Sequence, residues 1–395
     1  MADVPVRRDR LKASWIFRPG VRSAVIQFLL LALIALAAWY IFRTTRQNIA
    51  SQRLVTGFDF LWVESGFSIS QTLIPFSEAN TYARAFLVGL LNTLFVSAIG
   101  VVLATVLGFL VGIGRLSHNW IISRLCGGYV EVIRNLPLLF QILFWYLAVL
   151  TSLPVPRQSI SLFGDIFINN RGIMIPKPVF GEGFGIVLAL AAAGIVLSAV
   201  LSALARRHRI RTGADWKTWP AALLFILVLP LSAFFYLGVG VEIDHPVLRG
   251  FNFNGGVRII PEFLALLIAL STYTAGFIAE IVRAGILAVP RGQTEAASAL
   301  GLRRRSVLRL VVVPQALRVI VPPLTSQYLN LTKNSSLAVS IGYPDLVSVF
   351  AGTTLNNTGQ AIEILGITML VYLVISLVIS FAMNLYNRRI ALKER

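Results

Sequence analysis

One cysteine, Cys126, occurs in 395 residues, which excludes a disulfide framework and a cysteine-based metal cluster. The three histidines (His118, His208 and His245) are too far apart to share metal-ligand spacing, so no metal site is expected. Charge is scarce. Asp, Glu, Lys and Arg make up 13% of the chain, against about 25% in an ordinary soluble domain. Acids are scarcer than bases, 17 against 35. No G-x4-G-K-[ST] loop is present, so the chain cannot hold ATP by that route. No Ser/His/Asp or Cys/His arrangement suggests a nucleophilic enzyme. These absences leave no catalytic residue and no cofactor to expect. Internal repeats and low-complexity tracts are missing too.

What is abundant is apolar sequence, 56% of the residues. A bilayer core takes about 20 apolar residues in a helix, and eight stretches qualify, at 24–42, 85–114, 129–150, 184–205, 219–239, 259–284, 316–340 and 364–386. The expected fold is an all-α, polytopic membrane protein. The net charge of +18 does not point to nucleic acid, because the bases gather in short segments between apolar runs. The tails, 115–128, 206–218 and 285–318 carry 23 Lys and Arg, while 43–84, 151–183, 240–258 and 341–363 carry 9. By the positive-inside rule the first group is cytoplasmic, and both termini with it. The basic stretch before residue 24 resembles a signal-peptide start, but the apolar run Val25–Phe42 is too long for one, so an uncleaved span is expected. The outer segments 43–84 and 151–183 read as ordered loops or short interfacial helices, and 184–239 as an extra hairpin joined by Arg206-Arg207-His208-Arg209-Ile210-Arg211.

Between the sixth and seventh spans lies Glu295-Ala296-Ala297-Ser298-Ala299-Leu300-Gly301, with Val311-Val312-Val313-Pro314 after it. The alanines favour a helix, and Gly301 suits its end, where positive φ carries no Cβ penalty. A short polar helix held between two spans is shaped to enter a groove on another protein. Arg303, Arg304, Arg305 and Arg309 follow it, read chiefly as solvated cytoplasmic charge. Inside the spans, Lys333 stands with Asn330, Asn334, Ser335 and Ser336 close by, and 330, 333 and 334 share a helical face. Polar groups in a span are costly and tend to face a cavity or the bundle interior. Lys333 could attract the carboxylate of an amino acid, or pair within the bundle or with a partner. Glu280 and Arg283, three apart, read as a structural ion pair. Arg134 could snorkel to the cytoplasmic face. Gly108 and Gly112 permit close helix contact.

The E-A-A-x3-G spacing with its distal hydrophobic-x-hydrophobic-Pro resembles the EAA loop of ABC-importer permeases, with Val311 and Val313 where Ile and Leu are usual. Four more motifs resemble the polar amino-acid permeases of that family: Gly89-Leu90-Leu91-Asn92-Thr93-Leu94, Glu131-Val132-Ile133-Arg134-Asn135-Leu136-Pro137, Glu280 to Gln293, and Leu331-Thr332-Lys333-Asn334-Ser335-Ser336-Leu337. Ser70–Pro75, Asn169-Asn170-Arg171-Gly172 and the inserted hairpin look like the larger, Q-type permeases of general L-amino-acid importers. The resemblance implies a type I ABC importer permease core with about eight transmembrane helices. Its parts would be an N-terminal tail, first helix and periplasmic segment (1–84), a first core part (85–150), a periplasmic insertion with the extra hairpin (151–258), and a second core part with the coupling loop 285–318 (259–395). It further implies that Glu295, Ala296, Ala297 and Gly301 couple to an ATPase and that the Lys333 cluster lies near the substrate path. Partners would be a second, homologous permease, a cytoplasmic ATP-binding subunit dimer, a periplasmic amino-acid-binding protein and membrane lipid. The setting is the bacterial inner membrane, the substrates are L-amino acids, and the ATP hydrolysis is the partner's. The rival reading is a secondary transporter driven by an ion gradient, which usually carries mid-membrane acids and internal repeats.

Overall fold

The computed structural model describes residues 19–51 and 56–390. Most of the basic N-terminal stretch, and Lys393 and Arg395 of the C-terminal tail, therefore lie outside the described residues. The helices in chain order are α1 (Pro19–Ser51), α2 (Tyr82–Gly114), α3 (Trp120–Asn135), α4 (Leu138–Leu143, continued as a π-helix over Phe144–Leu150), α5 (Phe184–Thr212), α6 (Trp219–Leu223), α7 (Leu229–Tyr236), α8 (Pro261–Leu287), α9 (Arg291–Ala299), α10 (Arg304–Val307), α11 (Val313–Asn334), α12 (Leu355–Thr358) and α13 (Ala361–Ile390). Among the described residues, seven helical stretches are long and apolar enough to span a bilayer, and the count reaches eight only if the bent pair α3–α4 is taken as one span. The continuous span expected at 129–150 is instead this broken pair, which starts at Trp120.

That bend, 107°, sits at Leu136-Pro137. Proline disfavours helical backbone at the residue before it, and Leu136 is extended (φ −97°, ψ 131°). The Gln141 side chain donates to the carbonyls of Ile133 (3.0 Å) and Leu136 (3.1 Å), covering acceptors that the break leaves open. Two helix starts are capped by short polar side chains. Thr81 accepts from the Arg84 N–H, and Asn119 from those of Ile121 and Ile122.

The core is the α2–α8–α11 stack, with Val96, Ala104, Leu266, Ala269, Leu270, Ile278 and Leu331 fully buried. Gly108 and Gly112 lie on the α2–α8 seam, a close helix contact of the kind their spacing permits. A Cβ on Gly108 would stand 2.6 Å from the Ile278 side chain, and one on Gly112 2.7 Å from the Ala279 carbonyl oxygen. Below that seam Glu280 binds Arg283 (2.6 Å) and also Arg115 at the end of α2, so the expected pair is a three-residue bridge between two helices. Arg134 lies over the Phe277 ring, 5.0 Å from its centre.

Segment 151–183 departs from the loops or short interfacial helices expected of it. Residues 160–180 and 241–259 form eight strands: β1 (Ile160–Leu162), β2 (Ile166–Asn169), β3 (Gly172–Ile175), β4 (Lys177–Phe180), β5 (Val241–Asp244), β6 (Val247–Arg249), β7 (Asn252–Asn254) and β8 (Val257–Ile259). They build a four-stranded sheet in the order β1-β2-β3-β8 and two hairpins, β4-β5 and β6-β7. Short runs of Ile, Leu and Phe bounded by Gly, Asp and Asn turn residues (Gly164-Asp165 and Asn169-Asn170) favour strands over short interfacial helices. Gly172 (φ 117°) is required where β3 meets β8, since a Cβ there would lie 2.0 Å from the Ile259 oxygen. Asn169 is buried and ties the turn, donating to Ser159 (3.0 Å) and accepting from the Arg171 N–H (2.9 Å). β8 then runs through Ile260 into α8, which connects this strand module directly to the core.

Candidate functional site

The α9 element begins at Pro290, whose fixed φ suits a helix entry, and stops abruptly. Gly301 has φ 77°. Its N–H bonds the Ser298 carbonyl (2.9 Å), and that of Leu302 reaches the Ala297 carbonyl (3.3 Å). This is the paired closure of a Schellman motif, which favours glycine at the left-handed position. Inside that frame Ala297 is buried, whereas Glu295, Ala296 and Ala299 point outward. Leu300 is 82% exposed at the tip. The Gln315 side chain on α11 donates to that of Gln293 (3.4 Å), so α9 is tied to the next span as well as covalently to α8. The result is a short rigid helix with its small-residue face and one large apolar side chain free, mounted between α8 and α11.

At the other end of α11, Lys333 and Asn330 are exposed on one face and Asn334 and Ser336 are half-buried. Among the described residues Lys333 has no ion-pair partner. Ser335 does not join that face. It is fully buried and donates to the Thr332 carbonyl (2.7 Å). The five residues are thus split: Lys333 and Asn330 lie open, and Ser335 turns into the bundle. A helix advances 100° per residue, so adjacent positions cannot all share a face.

A buried acid was missed. Asp345 lies in 342–360, between the spans α11 and α13, and is fully buried. Its carboxylate accepts the Ser348 N–H (2.8 Å) and faces the Tyr372 hydroxyl (3.5 Å). The Asn92-Thr93 pair of α2 holds the same segment. Asn92 donates to the Pro344 and Gln71 carbonyls (2.9 Å each), and the Thr93 hydroxyl accepts the Leu346 N–H (2.9 Å). Gly89 allows the approach, with a Cβ there 3.1 Å from the Leu346 Cα. The clue was two polar residues within an apolar run, read only as a motif. Burial pushes the Asp345 carboxyl up to about 7, against 3.8 ordinarily. The folded state therefore keeps a proton that the unfolded state has released, so the stability contribution is full below about pH 4 and is lost as pH rises through about 7. Asp345→Asn keeps an acceptor for Ser348 and cannot ionise. The wild type is expected to lose up to about 4 kcal/mol over that window, and the variant to lose little of it. Parallel thermal melts of the two proteins from pH 5 to 8 would contradict this assignment.

Residues 216–392 match the family described as binding-protein-dependent transport system inner membrane component. The chain is similar along almost its whole length to three curated proteins. It is 52% identical over 391 residues to the permease protein YhdX of Escherichia coli (strain K12), spanning 98% of this chain and 99% of that one. It is 51% identical over 389 residues to the general L-amino acid transport system permease protein AapQ of Rhizobium johnstonii, 96% of each chain. It is 44% identical over 411 residues to the glutamate/glutamine/aspartate/asparagine transport system permease protein BztB of Rhodobacter capsulatus, again 96% of each.

Proposed function

Because this chain belongs to the amino-acid ABC transporter permeases, we propose that α9 is the point at which a separate cytoplasmic ATPase dimer drives it. The chain is the permease subunit of an amino-acid importer in the inner membrane, and the mostly helical core is the fold of that family. An ion-gradient transporter is not favoured.

A periplasmic binding protein delivers an L-amino acid to the outer face, with broad specificity across side chains. A second, homologous permease completes the pathway. ATP binding draws the ATPase pair together, α9 follows, and α8 and α11 carry the motion to the outer segments; hydrolysis by the partner resets the cycle. Such gating is a population shift, so each docked partner must favour one conformation. The observation that carries the reading is the α9 element, rigidly closed at Gly301 and presenting Leu300 outward. Both termini and the 206–218 segment are assigned to the cytoplasm by the basic asymmetry. Cysteine at Thr212 should therefore be shielded from an impermeant thiol reagent in intact cells, and ready labelling would reverse the topology.

Lys333 and Asn330 are assigned to the substrate path. The exposed ammonium, which has no ion-pair partner among the described residues, suits the α-carboxylate that all L-amino acids share, which fits broad specificity. Lys333→Met should raise the KM for uptake at least tenfold while complex assembly and basal ATP hydrolysis persist. Unchanged uptake kinetics in a well-assembled variant would remove Lys333 from the path. Loss of the permease pair would place it at the subunit contact instead.

A further inference from the structure

The inserted hairpin is the part of the chain that the transport reading does not use. Among the described residues, α5 packs chiefly on its own return segment 219–236 and makes no extensive contact with α2, α8, α11 or α13. Gly194 sets that contact, a Cβ there falling 2.0 Å from the Phe225 oxygen. α5 has 29 residues, which at 1.5 Å per residue is about 43 Å, longer than a hydrocarbon core of about 30 Å. If its outer end at Phe184 lies at the membrane boundary, about nine residues extend past the inner one, which is where the bases begin.

That end is built in a particular way. Arg206, Arg207, Arg209, Arg211 and Lys217 are all exposed, and the one acid nearby, Asp215, offsets Arg209 alone (3.7 Å). Gly213 (φ 75°) ends the helix. The chain then returns within seven residues to Trp219, which opens the next apolar helix. Trp216 and Trp219 are 51% and 68% exposed, and Ile210 is 78% exposed. The Trp216 ring stacks on His208, centres 4.5 Å apart, which orders the turn. Guanidinium groups bind phosphate oxygens through paired N–H donors, and indoles favour the headgroup level of a bilayer.

We propose that the 206–219 tip of the hairpin is a binding site for the phosphate groups of anionic phospholipids in the leaflet it enters, anchoring the hairpin and, through β4 and β5, the strand module. The proposal rests on the membrane-spanning reading of α5 and α6–α7. The exposed indoles beside the bases favour a lipid surface over an acidic protein, which would need no aromatic residues at that depth.

The test is amide hydrogen exchange of residues 204–216 in the intact chain, reconstituted in nanodiscs of phosphatidylcholine alone or with 30% phosphatidylglycerol. Nanodiscs carry the lipid in both leaflets, so the result does not depend on which way the hairpin points. That question is answered separately by the Thr212→Cys labelling. Exchange is expected to slow at least tenfold with phosphatidylglycerol at low salt and to recover in 0.5 M NaCl. Replacing all four arginines with glutamine should abolish the slowing, and replacing them with lysine should retain part of it. Equal exchange in the two lipid mixtures would overturn the proposal. So would slowing produced equally by inorganic phosphate in phosphatidylcholine discs, which would indicate a soluble-anion site, or slowing that appears only on adding the ATPase subunit, which would indicate protein docking.

Discussion

Gly112→Leu is expected to prevent stable folding of the permease core. A Cβ at this position already stands 2.7 Å from the Ala279 oxygen and 2.8 Å from the Val282 side chain. A backbone carbonyl cannot step aside as a flexible side chain can. Three further carbons would wedge α2 away from α8, the helix against which it packs most extensively. In a membrane, close approach at small residues is what holds helices together, because lipid competes equally for apolar surface. Overpacking a tight site costs about 1–3 kcal/mol or more. Here the separation would also pull Arg115 from Glu280, one turn further along. The melting temperature should fall by at least 10 °C, or the protein should fail to accumulate. Gly127→Leu on α3 is the control, since a Cβ there meets nothing. A Gly112→Leu protein melting like the wild type would mean that the α2–α8 seam is not packed as described.

The second large effect is expected at Leu300. It is 82% exposed at the end of a helix that the Schellman closure keeps rigid. Burying a leucine side chain in a partner groove contributes about 1.5–3 kcal/mol. Placing an unpaired carboxylate in that groove costs several kcal/mol more. Leu300→Asp should therefore weaken association with the ATPase subunit at least a hundredfold, which is about 2.7 kcal/mol. The measurement is a binding isotherm between detergent-solubilised permease and purified ATPase. Phe163→Asp, more exposed still at 95% but on the strand module, should leave that isotherm unchanged. Equal affinity for Leu300→Asp and wild type would remove α9 from the ATPase contact.

The parts of this structure that were legible in the sequence depend on local chemistry. The α9 helix followed from its alanines, and its end from a glycine that has positive φ. The four-residue glycine spacing permitted a close helix contact without naming α8 as the partner, and the Glu280–Arg283 pair followed from a helical offset of three. What escaped depends on contacts distant in sequence. Arg115 completes the Glu280 bridge from 165 positions away. Asp345 is buried only because α2 and α13 close over it, and its sequence surroundings suggest an outer loop. The strands at 160–180 and 241–259 pair across an inserted hairpin, so β3 meets β8 and β4 meets β5 only once α5–α7 has folded back. Ser335 was placed with Lys333 by proximity, although adjacent helical residues diverge.

The account is tested most directly by uptake into proteoliposomes containing this chain, its partner permease, the ATPase and the binding protein. Ionophores would collapse every ion gradient, and ATP would be present or absent at the ATPase face. Amino-acid uptake is expected only with ATP. Gly301→Val, which forces a β-branched residue to φ 77°, should keep the protein in the membrane and leave hydrolysis running while uptake falls at least tenfold. Uptake that proceeds without ATP and disappears with the ion gradient, or a Gly301→Val complex that transports normally per ATP hydrolysed, would contradict it.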